Sequence, residues 1–200
     1  TRPEKSDAHP GEASEPRVLH RAEGWLAVLK PAGWHAVAQA GGDGSNTVEA
    51  WLRSHEPSVH DLPEAGLVHR LDQGTSGCLV AATCERDRER LRAALSAHGR
   101  EAPRKTYLAV CATGLARAGS FELFFTSRHK GSAKVTVRAT GDAWVRGRCA
   151  WTVLGSSAEP GHDVVQVELL GPGRRHQIRA GLAHLGHPLW GDRLYGWTDG

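Results

Sequence analysis

An α+β fold, with a mixed, largely antiparallel sheet flanked by helices, is predicted by two features of this 200-residue sequence. Strand-like runs outnumber helix-like ones, and several follow one another with no helix between them, which is the mark of antiparallel rather than parallel pairing. There is also no internal repeat and no Gly-x-Gly-x-x-Gly or Walker A loop, so a nucleotide cofactor has no support in the sequence.

The elements follow in order. Residues 1–16 are polar and rich in Pro, Glu, Ala and Ser; with too few apolar side chains to offset ordering entropy they are expected to form a flexible tail. Structure is expected from about Val18. Trp25-Leu-Ala-Val-Leu-Lys30 reads as a strand stopped by Pro31-Ala-Gly33, and Gly41–Gly44 as a loop. Asn46 or Thr47 then caps a short helix with Val48, Trp51 and Leu52 on one face. Gly66–Leu71 leads into a loop, and Cys78–Ala82 reads as a buried strand. Between Arg86 and His98 the residues Leu91, Ala94, Leu95 and His98 keep helical spacing, with Gly99 as the C-terminal cap. Thr106–Cys111 is a strand, and alternating runs follow at Lys134–Ala139, Ala150–Leu154 and Val164–Leu170. Ile178, Leu182 and Leu185 mark one face of a last helix, running from about Arg174 and stopped near Gly186 and Pro188.

Composition narrows the function classes. No run approaches the ~20 apolar residues of a membrane span, and the N-terminus lacks the apolar stretch of a signal peptide, so a cytoplasmic protein is expected. Cys78, Cys84, Cys111 and Cys149 include no C-x-x-C pair, and the twelve histidines form no metal-ligand spacing, so no metal is expected. The net charge of +3 is modest, but Thr126–Arg148 carries Arg128, Lys130, Lys134, Arg138, Arg146 and Arg148 against the single acid Asp142. A local excess of cations suits a polyphosphate partner, although a solvated basic face is the plainer reading.

Two segments carry chemistry. His69-Arg-Leu-Asp-Gln-Gly-Thr-Ser-Gly77 sits between apolar strands, and a carboxylate followed by a glycine-bearing turn is presented with its backbone fixed. By itself it reads slightly better as a structural loop in which Asp72 caps Gly74 or Thr75, the commoner use of Asp before a turn. Gly171-Pro-Gly-Arg-Arg-His-Gln-Ile-Arg179 gathers three arginines at the start of a helix, with Arg175 and Arg179 one turn apart and expected on one side. That grouping suits a phosphate, or a counterion for a carboxylate in a cleft.

His69-Arg-Leu-Asp-x-x-Thr-Ser-Gly77 resembles the signature of the RluA-type pseudouridine synthases. Lys30-Pro-Ala-Gly33 looks like that family's first motif and Lys105-Thr-Tyr107 like its K-x-Y strand. Gly173-Arg-Arg-His-Gln-Ile-Arg179, Gly186-His-Pro-Leu-Trp-Gly-Asp192 and Tyr195-Gly196 match its last block. The match runs from about Trp25 to Gly196. It implies a pseudouridine synthase-like catalytic domain over residues 17–200, acting on ribosomal or transfer RNA. The family continues past Tyr-Gly into a further strand, whereas this sequence stops at Gly200, so either a truncated or an unusual C-terminal part is expected. No separate N-terminal RNA-binding module is expected, because the stretch before Trp25 is too short for one.

The resemblance also implies roles. Asp72 falls on the catalytic aspartate, Tyr107 on the tyrosine that packs on the target base, and Arg179 on the basic residue paired with the aspartate. Arg70 falls on the arginine that displaces the base, and Leu189 on the apolar floor of the pocket. Arg175, Lys130 and Lys134 are expected along the RNA. Moving the uracil from N1 to C5 oxidises nothing and consumes no water, so no cofactor is expected. His69 and His176 are read as structural hydrogen-bonding residues. A monomer is favoured. The competing readings are a non-catalytic RNA-binding or assembly factor on the same fold and, further back, an acid-base hydrolase, for which no second carboxylate or Ser-His pair stands in a recognised motif.

Overall fold

The computed structural model describes residues 15–38, 44, 46–97, 102–129, 131–158 and 161–198. Most of the expected tail, most of the Gly41–Gly44 loop and the His98–Gly99 helix end therefore lie outside the described residues. The chain divides into two compact units, residues 1–94 and 95–200. No helix among the described residues is long and apolar enough to cross a membrane.

The first unit is built on a three-stranded antiparallel sheet in the order β1-β2-β3: Arg17–Ala22, Trp25–Lys30 and Gly77–Ala82. Leu26 and Val28 of β2 and Leu79 and Ala81 of β3 are fully buried. β1 is an exposed edge held by its backbone pairing to β2. Between β2 and β3 comes α1, Val48–His55, whose apolar face buries Val48 and Leu52. Thr47 caps it as expected, its hydroxyl accepting the Ala50 N–H at 3.0 Å. The return to β3 passes through a tight turn in which Glu64, Ala65 and Gly66 are all left-handed, at φ 52°, 49° and 74°. Only Gly66 is free of the Cβ penalty there, and a Cβ at that position would lie 2.2 Å from the Ala82 carbonyl oxygen.

The helix α2, Glu85–Ser96, departs from expectation. Leu91 and Leu95 are half-buried, Ala94 is exposed, and the one buried side chain is Arg88. Its sequence, Glu85-Arg-Asp-Arg-Glu-Arg, offers too few apolar positions for a stripe. Its first turn is tied instead by the Arg88–Glu85 pair at 2.9 Å.

The second unit carries a five-stranded antiparallel sheet in the order β4-β8-β7-β5-β6. The strands are β4 Lys105–Ala112, β5 Ala118–Ser127, β6 Val135–Arg138, β7 Arg146–Ser157 and β8 His162–Leu169. β5 escaped the sequence reading. α3, Gln177–His184, packs on one face of this sheet, where Leu182 and Ala180 meet a core of Phe121, Leu123, Phe125, Cys149, Val165 and Val167. Gly181 permits the close approach: a Cβ there would lie 2.4 Å from the Phe121 ring. Leu185, expected on the buried face, lies past the helix end and is 39% exposed. Asp163 of β8 is buried and pins the turn after β4 by accepting the Leu115 N–H at 3.0 Å. Hydrogen bonds, the Ser156 hydroxyl first, hold its carboxyl below the usual range.

The α+β class thus stands, with two antiparallel sheets rather than one mixed sheet. The only parallel pairing among the described residues is the isolated bridge His35–Thr47.

Candidate functional site

In the first unit the candidate residues begin at the end of β2. The run Trp25–Lys30 is apolar until its last residue, and that lysine is completely buried. Buried ammonium groups need acceptors, and Lys30 Nζ finds three carbonyls, donating to Pro31 at 2.9 Å, Trp34 at 2.6 Å and Gln73 at 3.1 Å. Gly33 N–H donates to the same Gln73 carbonyl at 2.9 Å, and Gln73 Nε2 returns a bond to the Gly33 carbonyl at 3.2 Å. The turn after β2 and the residue after Asp72 are therefore laced together through one lysine.

Asp72 itself opens a tight turn, its carbonyl accepting the Thr75 N–H at 3.0 Å. It is half-buried, between buried Leu71 and exposed Gln73 and Gly74. Burial pulls the Lys30 ammonium down to about 8, against the opposing pull of the Asp72 charge. His69 has the structural part expected of it: its Nε2 accepts the Val80 N–H at 3.1 Å, fixing the approach to the turn on β3. Arg70 is exposed.

The second unit holds the remaining expected residues. Tyr107 lies on β4 opposite Val167 of β8 and is half-buried, alternating with exposed Thr106 and Leu108. Two residues earlier, Lys105 donates to the Leu95 carbonyl at 2.6 Å. Leu189 forms an antiparallel bridge with Cys111 and packs against the unit's core.

A cationic cluster surrounds Tyr195. Arg179 donates through Nε and Nη2 to the two oxygens of Asp192, at 2.7 and 3.1 Å, and its guanidinium stands 5.3 Å from the Tyr195 ring centre. Lys134 Nζ stands 5.4 Å from the same ring. The buried Tyr195 hydroxyl accepts the Val135 N–H at 2.9 Å and lies 2.7 Å from His176 Nδ1. Burial pushes that hydroxyl's pKa up, the Val135 N–H and the Arg179 and Arg175 charges opposing it.

Arg175 corrects the sequence reading. It is not on the helix with Arg179: α3 starts at Gln177, and His176 before it is left-handed at φ 54°, so the one-turn relation fails. The Gln177 side chain shapes this start by accepting the Arg174 N–H at 2.8 Å. Arg175 instead donates to the Ser132 carbonyl at 2.7 Å and still reaches the field of Tyr195, through tertiary contact rather than helical spacing. Lys130 lies outside the described residues.

The sequence reading gave no role to Lys30, Asp192 or Tyr195. A lysine closing an apolar run before a proline is the signal that Lys30 offered. Asp192 and Tyr195 stand in the last motif block, but nothing local marks a pairing partner thirteen residues from Arg179. Among the described residues no three His, Cys, Asp or Glu side chains converge as a metal ion needs.

Set beside known proteins, residues 24–184 match the RNA pseudouridylate synthase family. The ribosomal large subunit pseudouridine synthase D of Xylella fastidiosa is 33% identical over 180 residues, which cover 90% of this chain and 51% of that protein. The protein of the same name from Yersinia pestis is 34% identical over 179 residues, covering 90% and 52%. The chain therefore spans about half the length of the curated relatives it matches. Among solved structures, human RNA pseudouridylate synthase domain containing 1 superposes with a TM-score of 0.65 at 20% identity, over 96% of this chain and 74% of that one. At that identity the likeness speaks for the fold.

Proposed function

Because the chain belongs to the RNA pseudouridylate synthase family, we propose that it converts uridine in structured RNA to pseudouridine, with Asp72 as the catalytic carboxylate. The observation that carries this reading is the Asp72 turn, closed by Thr75 and gripped at Gln73 by Lys30 and Gly33. Such lacing fixes the backbone from which the carboxylate projects, and general-base or nucleophilic chemistry requires a fixed geometry.

In the proposed reaction the N1–C1′ bond breaks, the uracil turns, and a C5–C1′ bond forms. C5 loses its proton and N1 gains one, so the step balances with no oxidant, metal or water. Asp72 either adds covalently or removes a sugar proton to give a glycal. Tyr107 is the platform that keeps the detached base in place. Arg179 is the basic partner of the carboxylate, and Leu189 the apolar floor. The base must first leave its stack, at a cost of a few kcal/mol, and exposed Arg70 is the wedge that replaces it. Lys134, Arg175 and Lys130 take the phosphates.

Residues from 17 onward are proposed to act as one catalytic domain in the cytoplasm. The names of the relatives make ribosomal RNA of the large subunit the first target to try, with transfer RNA second. Nucleoside chromatography of digested RNA is the test. Pseudouridine is expected with the native protein and absent with Asp72→Asn, whose RNA affinity stays within about threefold because binding rests on phosphates and stacking. RNA binding without any pseudouridine from the native protein would favour the non-catalytic reading.

A further inference from the structure

We propose that Asp192 and Tyr195 are positioning residues for Arg179, holding its guanidinium in one plane so that it serves the isomerisation through the edge turned away from Asp192. The inference rests on Arg179 being the basic member of the uridine site.

An arginine side chain is long and has many rotamers, and a catalytic cation must point in one direction. Arg179 is constrained on two sides. Asp192 engages Nε and Nη2 together, the planar two-pronged geometry that fixes the guanidinium plane as well as its place. The Tyr195 ring lies 5.3 Å from the guanidinium carbon, and aromatic faces attract such cations. Both supports are themselves anchored. The Asp192 side chain is only 9% exposed, its N–H bonds the Leu189 carbonyl, and its own carbonyl accepts the N–H groups of Tyr195 and Trp197. The Tyr195 hydroxyl is tied to the first residue of β6 and to His176.

His176 adds a separate sign. A non-glycine residue with φ 54° is held against its preference, and here its ring meets the hydroxyl that orients Tyr195. The strained residue, the phenol, the carboxylate and the arginine form one continuous chain of contacts. A structural ion pair needs only the Arg179–Asp192 contact. The aromatic support and its two anchors are what a direction-critical arginine needs in addition.

The full chain is assayed as native protein and as Asp192→Asn, Asp192→Glu and Tyr195→Phe, by tritium release from 5-tritiated uridine RNA, with thermal unfolding measured on each. A structural role lowers the unfolding temperature and leaves the folded fraction with native kcat. A positioning role lowers kcat and leaves KM, since only the reacting geometry changes. Asp192→Asn is expected to lose about 10- to 100-fold in kcat with KM within twofold, as an approximately 1 Å misplacement does. Asp192→Glu is expected to recover part of that loss. Tyr195→Phe keeps the ring but not its anchors, and about a fivefold loss is expected. Should Asp192→Asn not fold, Tyr195→Phe decides. Native kcat in a folded Asp192→Asn or in Tyr195→Phe, beside an active native protein, overturns the inference alone. No release by the native protein overturns the uridine reading and this inference with it.

Discussion

At the residue scale the most informative group is Lys30. Nothing in hydropathy marks a lysine for complete burial, yet its ammonium joins three carbonyls and holds the turn that presents Asp72. Lys30→Met keeps most of the unbranched stem and removes the donor, so the Pro31, Trp34 and Gln73 carbonyls each lose one partner, Gln73 keeping the Gly33 N–H. We expect it to lower stability by about 2 kcal/mol at pH 7 in urea unfolding. The pH dependence has a definite sign. The folded ammonium gives up its proton near pH 8, whereas the unfolded side chain holds it to the ordinary 10.5. Between those values the unfolded chain binds more protons, so this group's contribution to stability rises with pH, by up to about 3 kcal/mol. The gap between native protein and Lys30→Met is therefore expected to widen from pH 8 to pH 10. A constant gap would mean that Lys30 is not held in an apolar setting. Asp72, Tyr107 and Arg179 were legible as site candidates because their types stand in ordered motifs. Lys30, Asp192 and Tyr195 gained roles only from distances, because a buried donor's acceptors and an arginine's carboxylate are set by tertiary approach.

At the element scale, periodicity read the chain well where one face is buried and the other wet. β2, β3, β4 and β8 lie where alternation or an apolar run put them, and α1 carries the expected cap. β5 was missed although Phe121, Leu123 and Phe125 alternate inward, because the paired Phe124-Phe125 and the flanking glycine blur the period. The helical spacing of Leu91, Ala94 and Leu95 predicts the helix α2 but its charged sequence forms no buried apolar face, and α3 starts three residues past Arg174 because His176 leaves the helical region. The packing of α3 on β5 turns on Gly181, and helix propensity and packing disagree there. Alanine is the better helix former by about 1 kcal/mol, but its methyl would lie 2.4 Å from the Phe121 ring. Overpacking wins, so Gly181→Ala is expected to cost about 2 kcal/mol net in urea unfolding. Adding Phe121→Leu is expected to recover part of that cost, and strictly additive losses would show that the two positions do not meet.

At the scale of the whole molecule, the α+β class followed from strand succession, whereas the division into two compact units, each with its own antiparallel sheet, did not. Sheet membership depends on which strands pair across long loops, and local patterning says little about that. Lys134 of the basic stretch stands by Tyr195, where Arg179 and the charge of Arg175 join it from the later arginine segment, so two separate stretches of sequence meet at one ring. If Lys134 and Arg175 meet phosphates, replacing both by alanine should flatten the dependence of log K on log salt by roughly 1.4, about 0.7 for each contact to a single strand. An unchanged slope would assign them to the protein's own hydrogen bonds. The central claim, that Asp72 isomerises uridine, is tested most directly by tritium release from RNA transcribed with 5-tritiated uridine, native protein against Asp72→Asn, with RNA binding measured alongside. Release by the native protein alone, with binding retained in both, is the result expected. Equal release by the variant, or none by either while both bind RNA, would contradict it.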